Sequence, residues 1–507
     1  MSKKPSFLYD ICLNEFTYLV AIFDSSVKEI SQNLFFIGFP YNFPTDSEKL
    51  KALDNNSIKG YWSKIYIKDN EIEITQDLFG GNRLYYATKD TKTIISDDYQ
   101  YIIQELGIVP ELHQHEYTYW KKHRYTTGGS TLIQTLKKLP PATITIFNNV
   151  GIHTQTYFKD IIRSSDSKKH AEAIDADLKD TFKLIKQQNK KTILFFSGGS
   201  DSKLLLQYIE AYKIDFELVF LRIKPDNYYS ETDFHKASSI AKQLGYKIHV
   251  IDVLLDSLSE SEKENITKVQ LFDRHFSLLH YLGIKKVTEK FGKDILIVNG
   301  QSSDSILSFG PSEKELFSYL RRLILYKPNN ILAKLSIFPI RYMTKKKLVL
   351  PRTDKEKLLA LYDETKYSRV VDNTFGKEYT QYLMEKVAIA IENLNSFYTK
   401  EMYVKIHSFI QGSDNQVVIN SAKHYGFNNI IMPFATPQIV YSTIAFKDEN
   451  LEIKKPKYVV EMLLYTRYKK LKPSNIKTKL KKAEANKLLT QPFSYYNKLL
   501  NKLELLK

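Results

Sequence analysis

Apolar and polar residues alternate along "SKIYIKDNEIEITQD" (63–77), with Asp69-Asn70 near the midpoint. A two-residue period puts successive side chains on opposite faces of a strand, so this stretch predicts a hairpin. The pattern returns in "TITIFNNVGIHTQTYF" (143–158), turning at Asn148-Asn149. Between the two, "TTGGSTLIQTLKKLPP" (126–141) reads as a loop, a short helix and a Pro-Pro stop. The first 150 residues are therefore expected to be β-rich. Residues 160–175, "DIIRSSDSKKHAEAID", are polar and read as a linker entering a helix.

From about residue 175 the period changes. Apolar runs predict buried strands at 192–197, 216–223, 247–253 and 294–300, with helical stretches between them. One of these, "ETDFHKASSIAKQLG", ends on Gly245 as a helix C-cap does. Strands separated by helices predict a parallel, doubly wound sheet. Ligands of such sheets bind beyond the carboxyl ends of the strands. After residue 315 the chain reads as mostly helical, with amphipathic segments at 358–372 and 380–398.

At 507 residues, 43% apolar and 26% charged, the chain holds core material for two or three domains. It has no run of eighteen apolar residues, and its opening "MSKKPSFLYDICLNE" lacks the apolar core of a secretory signal. One cysteine, Cys12, excludes internal disulfides and fits a reducing cytoplasm, the expected location. The formal charge of +17 comes from scattered lysines, thickening at Lys345-Lys346-Lys347 and from Lys469 to Lys482. Such scatter favours an anionic small substrate over nucleic acid. The histidines form no metal-ligand spacing, and His113-Gln114-His115 reads as a surface turn.

The chemistry concentrates at "FFSGGSDSKLLL" (195–206), where a strand meets a helix through Ser197-Gly198-Gly199-Ser200-Asp201-Ser202. Successive N–H groups at a glycine turn and a helix N-terminus form an anion cradle. An aspartate among these donors suits a magnesium ion bridging it to phosphates. The spacing is neither that of a Walker A loop nor that of the G-x-G-x-x-G turn.

This loop resembles the pyrophosphate loop of the N-type ATP pyrophosphatases, in which a substrate oxygen attacks the α-phosphate of ATP. Other segments resemble the asparagine synthetase branch in order: "DLFGGNRLYYA" (77–87), "LIQTLKKLPPATITIF" (132–147), "VNGQSSDSILSFG" (298–310) and "INSAKHYGFNNIIMPFATPQIV" (419–440). The resemblance implies that Ser197, Gly198, Gly199, Asp201 and Ser202 hold the phosphates, and that Asp201 and Asp304 bind Mg2+. It also implies that Val219, Leu221 and Ile251 lie near adenine, with Asn299 and Gly300 near the ribose or base edge. In "LKPSNIKTKLKKA" (471–483), Lys481 falls on the family's α-phosphate lysine and Lys479 on the preceding arginine.

Several positions depart from that family. Its glutamine-dependent members carry a cysteine nucleophile after the initiator methionine; here the residue is Ser2, followed by Lys3 and Lys4. The first domain is shorter and lacks the arginine and Asn-Gly-Glu/Asp segments, so it reads as a relic glutaminase fold without ammonia release. Gln301 stands where the family has a glutamate, and Ser305 replaces a later one. Glutamine hydrogen-bonds but cannot serve as a base. Either another residue deprotonates the nucleophile, with Asp273, His275 and Glu231 as candidates, or the substrate differs from aspartate. The family's R-V-P-F-L-D becomes Met432-Pro433-Phe434-Ala435-Thr436, which removes acidic character.

The expected architecture is thus α/β: a degenerate glutaminase-like α+β domain over 1–158 and a doubly wound synthetase domain over 170–507. The expected activity is ATP-dependent amide formation through an acyl adenylate, with an amine that comes from a source other than glutamine. The cofactors are ATP and Mg2+. The partners are a small-molecule, peptide or sugar carboxylate and an amine; nucleic acid is not the expected partner, and a homodimer is an open arrangement. Amidation with free or partner-supplied ammonia and a tRNA-modifying role are the alternatives.

Overall fold

The computed structural model describes residues 4–13, 15–24, 26–42, 54–123, 125–160, 167–224, 228–254, 258–259, 261–262, 277–307, 329–332, 334–335, 348–349, 353–362, 371–372, 377–408, 410, 415–446 and 458–472. By its contacts the chain divides into two compact units. One comprises 1–170, 304–414 and 437–456; the other comprises 171–303, 415–436 and 457–507.

The first unit opens with strands β1 (Phe7–Leu13), β2 (Phe16–Ile22), β3 (Lys28–Ser31), β4 (Leu34–Pro40), β5 (Gly60–Lys68) and β6 (Glu71–Gln76). It continues with β7 (Tyr85–Lys89), β8 (Lys92–Ser96), β9 (Lys137–Lys138), β10 (Thr143–Asn148) and β11 (Gly151–Thr156). They form two sheets, ordered β1-β2-β8-β7-β9 and β11-β10-β6-β5-β4-β3. Every neighbouring pair is antiparallel except β2 with β8. Alternation explains the core. Val20 and Ile22 of the first sheet pack with Ile37, Ile65, Ile74 and Phe147 of the second. These side chains are essentially inaccessible to water.

Both expected hairpins are present. In the second, Asn148 pairs with Gly151, so the turn residues are Asn149-Val150, one position later than expected. Asn148 Oδ1 accepts from Val150 N at 3.0 Å and from Gly151 N at 3.2 Å, which fixes that register. The short helix expected within 126–141 is absent. Instead Thr131 Oγ1 donates to Ile133 O and Leu136 O while accepting from Ile133 N, which holds a loop that enters β9. A side chain bonding its own backbone competes successfully with helix. The "DLFGG" segment is also a built loop. The buried Asp77 carboxylate accepts N–H bonds from Trp62, Phe79, Gly81 and Asn82.

Helices α1 (Tyr99–Leu106) and α2 (Gln114–His123) lie between β8 and β9 in the chain, and α3 (Ser167–Gln187) follows β11. α1 is capped by Asp98, which accepts from Gln100 N, and it ends at Gly107 with φ +55°. The triplet expected as a surface turn starts α2 instead. His113 and His115 are half-buried, and both rings lie 5.2 Å from that of Tyr382. The amphipathic 358–372 segment is only partly helical: residues 354–362 form a helix, whereas Val371–Asp372 pair as a strand with Leu348–Val349.

In the second unit, β12 (Lys191–Phe195), β13 (Phe216–Lys224), β14 (Ile248–Leu254), β15 (Ile295–Val298) and a short strand at Ile430–Ile431 make one parallel sheet. α4 (Ser200–Ala211), α5 (Tyr228–Gln243) and α6 (Leu278–Phe291) follow its first three strands. Gly245, with φ +79°, closes α5 as expected. The strand order is β14-β13-β12-β15, then the Ile430–Ile431 strand. Right-handed crossovers send the helices to opposite faces on either side of β12, which makes the sheet doubly wound. The fold class is therefore α/β, with a doubly wound parallel sheet and a β-rich part.

Two buried histidines, His170 and His407, and the partly buried His280 each lower the stability of this fold in acid. Burial pushes His170 and His407 down to about 3 and His280 to about 4. Each is thus neutral in the native state and binds a proton more readily when unfolded. Stability is then full above pH 6.5 and falls as pH drops, by about 1.4 kcal/mol per unit for each histidine. We predict that His407→Gln loses packing stability at pH 7.5 but declines less steeply than wild type between pH 6 and 4. Urea unfolding across that range measures it, and parallel profiles would assign the acid loss elsewhere.

Candidate functional site

β12 ends in a buried apolar run, and Phe196 N still donates to Val219 O at 2.9 Å. The next residues leave the sheet through Gly198, whose φ of +69° few L side chains adopt. Gly198 also lies against α5. A Cβ there would sit 3.0 Å from Ala237 Cα and 3.2 Å from Lys236 O. Both requirements, dihedral and space, select glycine. Gly199 is the extended N-cap of α4, with φ −72° and ψ 169°.

The loop braces itself with its own serines. Ser197 Oγ accepts from Gly199 N at 3.3 Å and lies 3.3 Å from Ser202 Oγ, which donates to Gly199 O at 3.2 Å. The N–H groups of a helix's first turn have no acceptor within the helix and carry a positive partial charge. Asp201 sits in that turn and accepts from Ser303 Oγ at 3.0 Å.

Ser303 arrives from the neighbouring strand. β15 pairs directly with β12, and the chain leaving it runs through Asn299, Gly300, Gln301 and Ser302. Asn299 N donates to Ile431 O at 3.1 Å, and its Oδ1 accepts from Gln301 N at 2.8 Å, closing the turn. A Cβ on Gly300 would lie 3.6 Å from Asp201 Cβ and 3.8 Å from Ser202 N. The two loops therefore meet where the strand order reverses, the crevice in which open α/β sheets bind ligands.

Several expected residues come together here: Ser197, Gly198, Gly199, Asp201, Ser202, Asn299, Gly300 and Gln301. Val219 and Leu221 lie on β13, and Ile251 pairs with Leu221 across β14. Leu221 faces α6, where its Cδ1 lies 2.6 Å from a Cβ built on Gly283. Asp304 follows Ser303 in a short helix, Ser303–Ile306, and the division between the two units falls between them. Glu231 lies in the first turn of α5, where its Oε1 is buried without a hydrogen-bond partner among the described residues. Asp273, His275, Lys479, Lys481 and Ser2 lie outside the described residues.

Sequence reasoning missed two lysines. Lys236 Nζ lies 3.8 Å from the position of a Gly199 Cβ. Lys203, on α4, donates to Tyr468 O at 3.3 Å. Burial, then the Lys236 charge, pushes the Lys203 ammonium below its usual value. Lys203 directly follows the quoted loop, whereas no motif marks Lys236; only the packing of α5 on the loop brings Lys236 there.

The donor set fits phosphate and magnesium. Backbone N–H groups, serine hydroxyls and ammonium groups suit phosphate oxygens, and carboxylate and hydroxyl oxygens are hard ligands of the kind magnesium takes. Among the described residues no group of three His, Cys, Asp or Glu side chains could hold a metal by itself. A magnesium ion here would share its coordination with substrate phosphates and water.

No protein-family profile matches the chain, and no curated protein matches it. Solved structures give remote likenesses. An NH3-dependent NAD synthetase from Campylobacter jejuni is 16% identical over 28% of this chain and 60% of its own, with a TM-score of 0.18. A glutamine phosphoribosylpyrophosphate amidotransferase from B. subtilis is 12% identical over 48% and 63%, with a TM-score of 0.18. A U34-tRNA thiolase from Methanococcus maripaludis is 12% identical over 51% and 81%, with a TM-score of 0.21. The chain thus spans about three fifths of the first two proteins. At such scores these likenesses carry no argument, and the functional reading rests on the chain's own residues. No described helix is long and apolar enough to cross a membrane.

The two glycines of the site make a contrasting pair. Gly198→Ala meets backbone atoms at 3.0–3.2 Å and a left-handed φ. It should destabilise the second unit by about 2 kcal/mol or more. Gly300→Ala meets nothing closer than 3.5 Å and should stay within about 0.5 kcal/mol of wild type. Denaturant midpoints decide it, and equal losses in both variants would refute the close-approach account.

Proposed function

We propose that the chain is an ATP-dependent, AMP-forming C–N ligase that adenylates a carboxylate and passes the acyl group to an amine whose source is not glutamine. One observation carries this reading. The Ser197–Ser202 loop lies beside the 299–303 turn at the reversal of strand order, with Ser303 bonded to Asp201. The order of motif-like segments along the chain supports the same class.

In the first step a carboxylate oxygen attacks the α-phosphorus, the bond to the β-phosphate breaks, and pyrophosphate leaves. The first-turn N–H groups of α4 and the hydroxyls of Ser197 and Ser202 hold the leaving pyrophosphate, where negative charge grows. Asp201 and Asp304 are the residues assigned to magnesium, which neutralises the phosphates when bound. In the second step the amine attacks the acyl carbon, AMP departs and the amine gives up a proton. Gln301 can only orient groups in this step. Glu231, whose buried Oε1 has no hydrogen-bond partner among the described residues, is the described candidate to take the proton. Val219, Leu221, Ile251, Asn299 and Gly300 are the assigned nucleoside contacts. Residues 1–158 act as a non-catalytic glutaminase-like part in this reading.

Asp201→Ala should abolish pyrophosphate release with a panel of carboxylates and amines while leaving the unfolding midpoint close to wild type. Product identity by mass spectrometry separates an amide with a supplied amine from one with ammonia. Undiminished release in that variant would end the pyrophosphatase reading.

The second assignment concerns the cation beside the α-phosphate, given to Lys481 with Lys479 next to it. Loss of a contact made in the transition state lowers kcat and kcat/KM together. Lys481→Ala should lower kcat about 10²-fold with little change in KM for ATP. A change in KM alone would show that the lysine lies elsewhere.

A further inference from the structure

We infer that Lys236 is a phosphate-binding residue of the Ser197–Ser202 loop, its ammonium contacting the β,γ-phosphates of ATP and then the departing pyrophosphate. The inference rests on the reading of that loop as a triphosphate site.

Position comes first. Lys236 Nζ stands 3.8 Å from where a Gly199 Cβ would be, on the side of the loop left open by the missing side chain. A phosphate oxygen accepting from the loop's N–H groups sits about 3 Å from the backbone. An ammonium at this distance therefore reaches the same anion. Its backbone is held there, because Gly198 rests on the backbone of Lys236 and Ala237, and Ala237 is fully buried. The loop and the lysine cannot separate without breaking that contact.

Charge is the second observation. Lys203 lies close enough to Lys236 for each charge to be felt by the other, and Lys203 is half-buried. The Lys236 ammonium and a positive helix end thus meet at one loop, and Lys203, whose Nζ donates to Tyr468 O, adds its charge nearby. No carboxylate forms an ion pair with Lys236 among the described residues. Asp233, one turn earlier on α5, is an acidic group that feels its charge, and burial raises the Asp233 carboxyl. Like charges held together beside a helix N-terminus are mutually destabilising, and a polyanion reverses the sign of that interaction. This arrangement favours a phosphate anion at the loop.

The test uses the full chain and titration calorimetry with magnesium pyrophosphate, MgATP and AMP. Lys236→Met should weaken pyrophosphate and ATP binding about tenfold or more, the loss of one charge-assisted hydrogen bond. Its AMP affinity should match wild type, and Lys236→Arg should retain pyrophosphate binding within about threefold. Urea midpoints check folding, and Lys236→Gln stands in if the methionine variant is destabilised. If wild type binds pyrophosphate and the Met and Gln variants bind it equally well, the Lys236 assignment fails and the loop reading survives. If wild type binds neither pyrophosphate nor ATP, the loop reading itself fails. Equal weakening towards AMP would place the lysine at the α-phosphate and overturn the assignment to the β,γ-phosphates.

Discussion

The candidate site depends on one close approach, the backbone of Gly198 against that of Ala237 on α5. Without a Cβ the chain leaving β12 turns sharply, rests on the helix and enters α4 with its N–H groups directed outward. A bulkier residue would lift the loop away from the helix. The serine bonds within the loop, the position of Asp201 and the nearness of Lys236 all follow from that contact. The positive φ and the steric limit act together, so the position tolerates little change.

Sheet topology supplies the second half of the site. Because β15 pairs with β12 and not with β14, the chain after β15 returns beside the loop after β12. The reversal separates the helices on the two faces and leaves a crevice at the carboxyl ends of the strands. Ser303 and Gly300 enter that crevice from one side, and Asp201 and Ser202 from the other. Hydrogen bonds at 2.8–3.1 Å close the turn between them. Elsewhere the sheet is secured by long-range pairs such as Arg222 with Asp252, at 2.6 and 3.0 Å between adjacent strands. The described C-terminal segment is tied to α4 through the buried Gln207, which donates to Leu463 O and accepts from Tyr465 N.

The first unit obeys a different rule. Two sheets bury alternating aliphatic and aromatic residues between them, and buried carboxylates gather the polar groups of the loops. Asp77 gathers four N–H groups into one carboxylate, so the "DLFGG" segment has a structural role of its own. Glu116 does the same for the 126–131 loop, accepting from Thr127 N at 2.9 Å and from the hydroxyls of Thr127 and Tyr382. Lys386 completes that network by donating to Ser130 at 2.7 Å. A buried carboxylate with several donors holds a loop more firmly than apolar contact alone, because each donor would be costly to leave unpaired.

The sequence by itself determined the elements and their class. Period-two alternation located the hairpins around 69–70 and 148–150, and apolar runs between helical stretches located the four main parallel strands within a residue or two. Ser-Gly-Gly-Ser-Asp-Ser was legible because glycine turn, hydroxyls and carboxylate are adjacent in the chain. Local bonding was less legible: Thr131 turned an expected helix into a loop, and the histidines of 113–115 became part of a packed helix start. Tertiary structure alone decided which distant residues share the crevice. Ser303 meets Asp201 because two strands pair across a hundred residues of chain, and Lys236 meets the loop because α5 packs on a glycine. Such contacts depend on strand order and interhelix packing, and neither leaves a periodic trace in the sequence.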